Sequence, residues 1–214
     1  MKKFSVKVYA LDISDMPFDE GLIPLVERAR AEKILSSGNA EYKRRSLYAG
    51  ILLRHALFTE GEVFHGAIEM RYGDRGKPYV KGSDKFFSIT HSGDLVFVAT
   101  AACEVGIDAE VPQNKDYSQL IKKTLSETER EEYRLSKDKT SFFLEKWVIK
   151  ESYLKLLGTG LEGYPSGIDA RELEKEINFS FRRFDINGKD CFFCVAARGG
   201  FTVDFKVVNG LKTA

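Results

Sequence analysis

The order of apolar and polar positions along the chain predicts a mixture of strands and helices. Residues 3–11 alternate, as a strand with one buried face does. Helical spacing follows at roughly Phe18–Ser36 and Asn39–Thr59, interrupted by Ser37-Gly38-Asn39; the second segment carries Tyr48, Ile51, Leu52, His55 and Ala56 on one side. Arg75-Gly76-Lys77-Pro78 is a turn signal. The short apolar runs FFSIT and LVFVATAA are joined by His91-Ser92-Gly93-Asp94, the pattern of a hairpin. Further on, Ser126 and Glu129 match a capping box that opens a helix. A long helix is predicted from Ser141 to Leu157, stopped by Gly158. NFSFRRF, a turn at Asn187-Gly188, CFFCVAA and FTVDFKVV complete the chain and predict an antiparallel meander. Helices and hairpins are segregated within each half, which makes the fold class α+β. A boundary near residues 103–112 divides the chain into 1–104 and 105–214, with no repeat visible between them.

Composition narrows this picture only slightly. The 214 residues are 43% hydrophobic and 30% charged, an ordinary globular balance. A net charge of +1 argues against a nucleic-acid binder with a wide basic face. No apolar run approaches a membrane span, and the alternating start does not have the continuous apolar core of a secretory signal. Cys103, Cys191 and Cys194 fit a reducing compartment, so the expected location is cytoplasmic. Cys191 and Cys194 have C-x-x-C spacing, but on a strand their sulfurs face opposite sides, and buried structural thiols are expected.

Candidate chemistry begins in VGIDAE, residues 105–110. On a strand, Asp108 and Glu110 point the same way, and two like charges so close repel unless something positive lies between them. Either the strand end is solvated or a divalent cation binds there. In KWVIKESYLK, residues 146–155, Trp147, Glu151 and Lys155 are four apart and share a helix face. That is either a surface ion pair or, with VGIDAE, a set of three acids and a lysine. Three such acids suit Mg²⁺ bridging to phosphate oxygens, with the lysine neutralising remaining phosphate charge. His91 either caps its hairpin or donates to an anion, and Lys77 is either a solvated turn residue or a phosphate contact. Arg28, Arg30, Lys33, Lys43, Arg44 and Arg45 are either two solvated helix faces or a converging anion site. The glycines at 158, 160 and 163 match G-x-G-x-x-G formally but follow a helix, the wrong context for a dinucleotide fingerprint. Leu120, Ile121 and Leu125, beside Lys122 and Lys123, form either a stripe covering the core or an exposed docking surface.

Taken in order, GKP, ITHSG, VGIDAE, KWVIKESYLK and LGTGL resemble the 4′-phosphopantetheinyl transferase superfamily over about Arg30 to Leu161. Chain length and the basic N-terminal half resemble its larger monomeric, surfactin-synthetase-activating type. The resemblance implies a pseudo-twofold α+β protein of two similar subdomains, each an antiparallel sheet packed against helices. Coenzyme A would bind at their junction. Its phosphopantetheine arm would pass to a serine of an acyl or peptidyl carrier protein, releasing adenosine 3′,5′-bisphosphate. Residue by residue, Asp108, Glu110 and Glu151 match the acids that bind Mg²⁺, and Asp108 also lies beside the coenzyme A. Lys155 and His91 match phosphate contacts, Thr90 a neighbouring hydroxyl and Lys77 the GKP lysine. Arg30, Lys33 and Arg45 fall near the nucleotide 3′-phosphate. Glu151, Lys155 and His91 would then carry catalysis, with Glu151 or a water on the metal taking the serine proton. Carriers would dock beside residues 117–125, where Lys122 and Lys123 suit their acidic helices. Thr90 stands where serine is usual, Ala109 replaces a bulkier residue, and Thr159 stands where lysine is frequent. Two rivals remain. A metal-dependent nuclease is disfavoured by the four-residue spacing of Glu151 and Lys155 and the near-neutral charge. A non-catalytic coenzyme A or carrier-binding module is disfavoured by the presence of all three acids.

Overall fold

The computed structural model describes residues 3–74, 76–159 and 169–211. It is an α+β fold whose elements stack as helix, sheet, sheet, helix. The N-terminal sheet contains β1 (Phe4–Asp12), β4 (Phe86–Ser92) and β5 (Leu95–Ala101), with β9 (Phe201–Val207) at one edge, in the order β4-β5-β1-β9. Its outer face packs on α2 (Ala40–Thr59): Tyr9 and Leu11 of β1 and Val96 and Val98 of β5 meet Leu52, Leu53 and Ala56. The alternate residues, Val6, Val8, Leu95, Phe97 and Ala99, face inward. There they meet the C-terminal sheet, β6 (Val105–Glu110), β7 (Asn178–Ile186) and β8 (Lys189–Ala197), in the order β6-β8-β7. The far face of that sheet packs on α5 (Lys139–Leu157). Period-2 alternation therefore feeds different cores from each strand, which is why β5 is buried at every position.

Local chemistry explains the helix bounds. Asn39 caps α2 by accepting from Tyr42 N, and Asp138 caps α5 by accepting from Ser141 N. Gly158 ends α5 in the left-handed region at φ 70°, and its N–H returns to Leu154 O. The expected capping box opens α4 (Glu127–Leu135), with Ser126 and Glu129 bonded reciprocally. Two short strands, β2 (Met70–Tyr72) and β3 (Pro78–Val80), form a separate hairpin. No helix among the described residues is long and apolar enough to cross a membrane.

Three expectations are corrected. The single helix at 18–36 is a 3₁₀ turn, Glu20–Leu25, followed by α1 (Arg28–Ser36); Pro24 removes a donor, and Val26 and Glu27 are extended. The turn expected at His91–Asp94 is tighter, with His91 and Ser92 still in β4 and Gly93 at φ 55°. The closing meander stops at β8. β9 pairs instead in parallel with β1, from Phe4 with Phe201 to Ala10 with Val207. Phe201, Val203 and Phe205 pack on the central core from there, so the N-terminal sheet takes its last strand from the far end of the chain. A division at residue 104 thus separates β9 from the sheet it completes. Cys191 and Cys194 behave as expected: they face different cores, and burial pushes both thiols up to about 12.

One buried ion pair ties the helices of the C-terminal half together. Lys150 of α5 and Glu129 of α4 have side chains 1% and 0% exposed. The Lys150 ammonium also donates to Thr124 O at 2.7 Å, at the end of α3 (Ser118–Thr124). Glu129 accepts from Ser126 N and from Ala170 N, both at 2.8 Å, the latter opening α6 (Ala170–Leu173). Four helices therefore share one satisfied charge pair, and breaking it strands a carboxylate in the core. Lys150→Met should cost about 3–5 kcal/mol, read from urea denaturation; a loss under about 1 kcal/mol would contradict this role.

Candidate functional site

The site forms where the two sheets meet at their edges. β4 and β6 belong to different sheets and lie side by side without a backbone ladder. Ser88, Thr90 and Ser92, at alternate positions of β4, are all buried and face β6. Thr90 Oγ1 donates to Asp108 Oδ1 at 2.8 Å, and Ser92 Oγ donates to Glu110 Oε2 at 2.6 Å.

From the other side α5 presses directly on β6. An added Cβ at Gly106 would lie 2.0 Å from Ser152 O and 2.5 Å from Leu156 N. Only glycine allows that approach. It brings the Lys155 ammonium within 2.6 Å of Asp108 Oδ1 and 2.8 Å of Thr90 Oγ1. Lys155 is thus a positive charge beside the paired acids. Glu110 remains raised above the usual carboxylate range, first by burial and then by Asp108, against Ser92, Lys115 and Lys155. Asp108 is 4% exposed, and its Oδ2 is buried with no hydrogen-bond partner among the described residues.

These groups open onto a pocket of about 380 Å³. α1 and α2 contribute Arg30, Tyr42 and Ser46; β4 contributes Thr90 and His91; β6 contributes Asp108 and Glu110; α5 contributes Trp147, Glu151 and Lys155. Seven of the ten residues singled out from the sequence therefore share one pocket. Desolvation by the surrounding protein, then Arg45 and Lys155, hold the imidazole of His91, which still meets solvent, below its ordinary pKa and so favour its neutral form. Arg30 donates through Nε to Glu27 Oε1 at 2.6 Å and through Nη1 to Ser46 O at 3.3 Å.

The other three are placed differently. Arg45 is half-buried and acts on His91 without lining the pocket, and its Nε has no hydrogen-bond partner among the described residues. Lys33 is exposed on α1, away from the lining. Lys77 also lies outside it: its ammonium donates to Val105 O at 3.0 Å and Leu156 O at 2.9 Å. A helix leaves its last carbonyls without partners and its C-terminus negative, so a cation there is well matched. Lys77 thereby fastens the start of β6 to the end of α5. Leu125, read from the sequence as either core cover or part of a docking surface, is fully buried, and Leu120 and Ile121 pack beside it, leaving Lys122 and Lys123 exposed. Thr159 is described, whereas Gly160 and Leu161 of the LGTGL match, and Gly163, lie outside the described residues. Gly106, Ser88, Ser92 and Lys150 did not stand out in the sequence. The alternating hydroxyls of FFSITHS were the one legible sign of the junction.

Three carboxylates in one pocket are oxygen donors suited to a hard divalent cation, and the orphaned Asp108 Oδ2 is an oxygen such a cation would satisfy. Among the described residues, no three His, Cys, Asp or Glu side chains converge closely enough to form a metal site as they stand.

The fold and pocket define an α+β protein with an acid- and base-lined cleft between two sheets. Residues 104–198 match the 4′-phosphopantetheinyl transferase superfamily. The chain is 29% identical over 165 residues to the 4′-phosphopantetheinyl transferase Sfp of Bacillus subtilis (strain 168), covering 73% of this chain and 72% of that protein. It is 29% identical over 178 residues to 4′-phosphopantetheinyl transferase psf-1 of Bacillus pumilus, covering 80% and 75%. With 4′-phosphopantetheinyl transferase gsp of Aneurinibacillus migulanus the identity is 30% over 138 residues, covering 64% and 57%. The chain is thus similar to 4′-phosphopantetheinyl transferases, through its C-terminal half in the family match and over most of its length in the two Bacillus relatives.

The contact at Gly106 sets the site's geometry, which Gly106→Ala should disturb. Overpacking against helix backbone costs about 1–3 kcal/mol or more. A crystal structure of the variant should show α5 displaced from β6, and an unshifted helix with unchanged denaturation midpoint would refute the contact.

Proposed function

We propose that this protein transfers the 4′-phosphopantetheine arm of coenzyme A to a serine of an acyl or peptidyl carrier protein, releasing adenosine 3′,5′-bisphosphate. The observation that carries this reading is the single pocket lined by Asp108, Glu110, Glu151, Lys155 and His91, in a chain similar to named 4′-phosphopantetheinyl transferases. The same reading makes the protein a cytoplasmic monomer.

Asp108, Glu110 and Glu151 would hold Mg²⁺, which when bound neutralises pyrophosphate charge. Lys155, held in the pocket by Asp108 and Thr90, adds a second positive charge where charge develops as the bond to the leaving group breaks. His91, neutral in the free protein, donates an N–H to a phosphate oxygen. Glu151 takes the proton of the carrier serine, whose oxygen bonds to the phosphorus that bears the pantetheine arm. The adenosine bisphosphate half leaves with the bridging oxygen. Arg30 and Arg45 flank the pocket as cations for the 3′-phosphate, while the exposed Lys33 contributes only to the surrounding field. Carrier docking falls to the exposed Lys122 and Lys123 rather than to an apolar stripe, since the neighbouring apolar side chains are packed.

Incubation with coenzyme A, Mg²⁺ and a panel of apo carriers should add the phosphopantetheine mass to a carrier. Absence of the adduct with every carrier class would overturn the reading. Asp108→Ala should lower the rate by on the order of a hundredfold or more with the fold intact, and a folded variant at wild-type rate would remove Asp108 from the site.

The 3′-phosphate assignment predicts that coenzyme A binds more tightly than 3′-dephospho-coenzyme A, by about 1.5–3 kcal/mol per charge-assisted contact. Arg30→Ala should erase much of that difference in calorimetric titrations. Equal affinity of the wild type for the two nucleotides would sink the assignment.

A further inference from the structure

Ser88 and Ser92 of β4, four residues apart, make the same kind of backbone contact across the junction, one to Ile107 of β6 and one to Val111, the residue that follows β6. Ser88 Oγ accepts from Ile107 N at 3.1 Å, and Ser92 Oγ accepts from Val111 N at 3.0 Å. Ser92 alone of the two also touches a carboxylate, donating to Glu110 Oε2 at 2.6 Å. A hydroxyl has one proton and two lone pairs. With Val111 N–H on a lone pair, the proton of Ser92 is left for Glu110. Accepting one hydrogen bond also strengthens the hydroxyl as a donor to the next. Ser92 is 4% exposed, so water does not readily replace it. Glu110 is a long side chain at the end of its strand, and without this contact its carboxylate would sample several rotamers in the pocket.

We propose that Ser92 is a positioning residue, one that orients the Glu110 carboxylate toward the bound cation, while Ser88 only fastens the strand. The proposal rests on the assignment of Glu110 as a cation ligand. Its consequence is that two serines with the same backbone partner type and similar burial differ in what their loss does.

The test compares Ser92→Ala, Ser92→Thr and Ser88→Ala as full-length proteins. Mn²⁺ binding to the protein alone is followed by electron paramagnetic resonance, together with melting temperature and transfer rate. Loss of a hydrogen bond that orients a ligating carboxylate typically weakens metal affinity or activity about 10- to 100-fold. Ser92→Ala should show that loss in Mn²⁺ affinity, with Ser92→Thr recovering most of it. Ser88→Ala should lower the melting temperature while keeping Mn²⁺ affinity near wild type. Wild-type affinity in Ser92→Ala would overturn the proposal, as would equal losses in Ser88→Ala and Ser92→Ala, which would assign the effect to strand docking. A wild type that binds Mn²⁺ but modifies no carrier would sink the transferase reading, and the Mn²⁺ comparison would still decide the role of Ser92.

Discussion

Two sheet edges meet at β4 and β6, and side-chain hydroxyls rather than backbone amides join them. An open strand edge carries unpaired N–H and C=O groups that must find partners. Here Ser88 and Ser92 supply them to Ile107 N and Val111 N. Joining through side chains holds the strands farther apart than a ladder would. In that extra space sits the bonded set of Thr90, Asp108 and Lys155. The pocket is a consequence of how the sheets are joined.

α5 makes that junction rigid. Gly106 lets the helix backbone rest on β6, and two buried or half-buried lysines hold the helix, Lys150 from within it and Lys77 at its C-terminal end. Lys150 binds the Glu129 carboxylate and the end of α3, and Lys77 binds the carbonyls of Val105 and Leu156. Lys155, five residues from Lys150, instead meets a carboxylate that lines the pocket. The same side chain thus has three uses. Lys77 and Lys150 are fully engaged by the scaffold, whereas Lys155 stands where a ligand can meet it. Positioning chemistry on a helix braced this way favours precise geometry over the looser placement a loop would give.

The central core between the two sheets couples the halves. β9 pairs with β1 while its Phe205 packs edge-on against Phe184 and Phe193 of the C-terminal sheet. Lys189, beside the β7–β8 turn, donates to both oxygens of Asp12 at the end of β1, at 2.6 and 2.7 Å. Neither half can move far without breaking contacts made by the other, which suits a site whose walls come from both.

Much of this was legible in local pattern. The period-3.6 run of α2, the caps at Asn39, Ser126 and Gly158, and the period-2 strands each follow from interactions a few residues long, which the sequence states directly. The shared face of Trp147, Glu151 and Lys155, the common direction of Asp108 and Glu110, and the opposed sulfurs of Cys191 and Cys194 are consequences of helix and strand periodicity alone. What local pattern does not carry is which edges meet. FTVDFKVV reads as the next strand of a meander, yet it pairs with β1 because that edge offers both a ladder and the central core. Lys77 and Lys155 look alike in sequence, and only their distant neighbours, two carbonyls in one case and Asp108 in the other, make one a fastening and the other a pocket residue. Leu120, Ile121 and Leu125 read equally as core cover or docking surface, and only packing on α5 decides that Leu125 is buried. Sequence determined the elements, because their causes lie within a turn or a strand. Tertiary structure decided the site, because its contacts join residues as far as 65 positions apart, as between Thr90 and Lys155, that meet only when the two sheets close on each other.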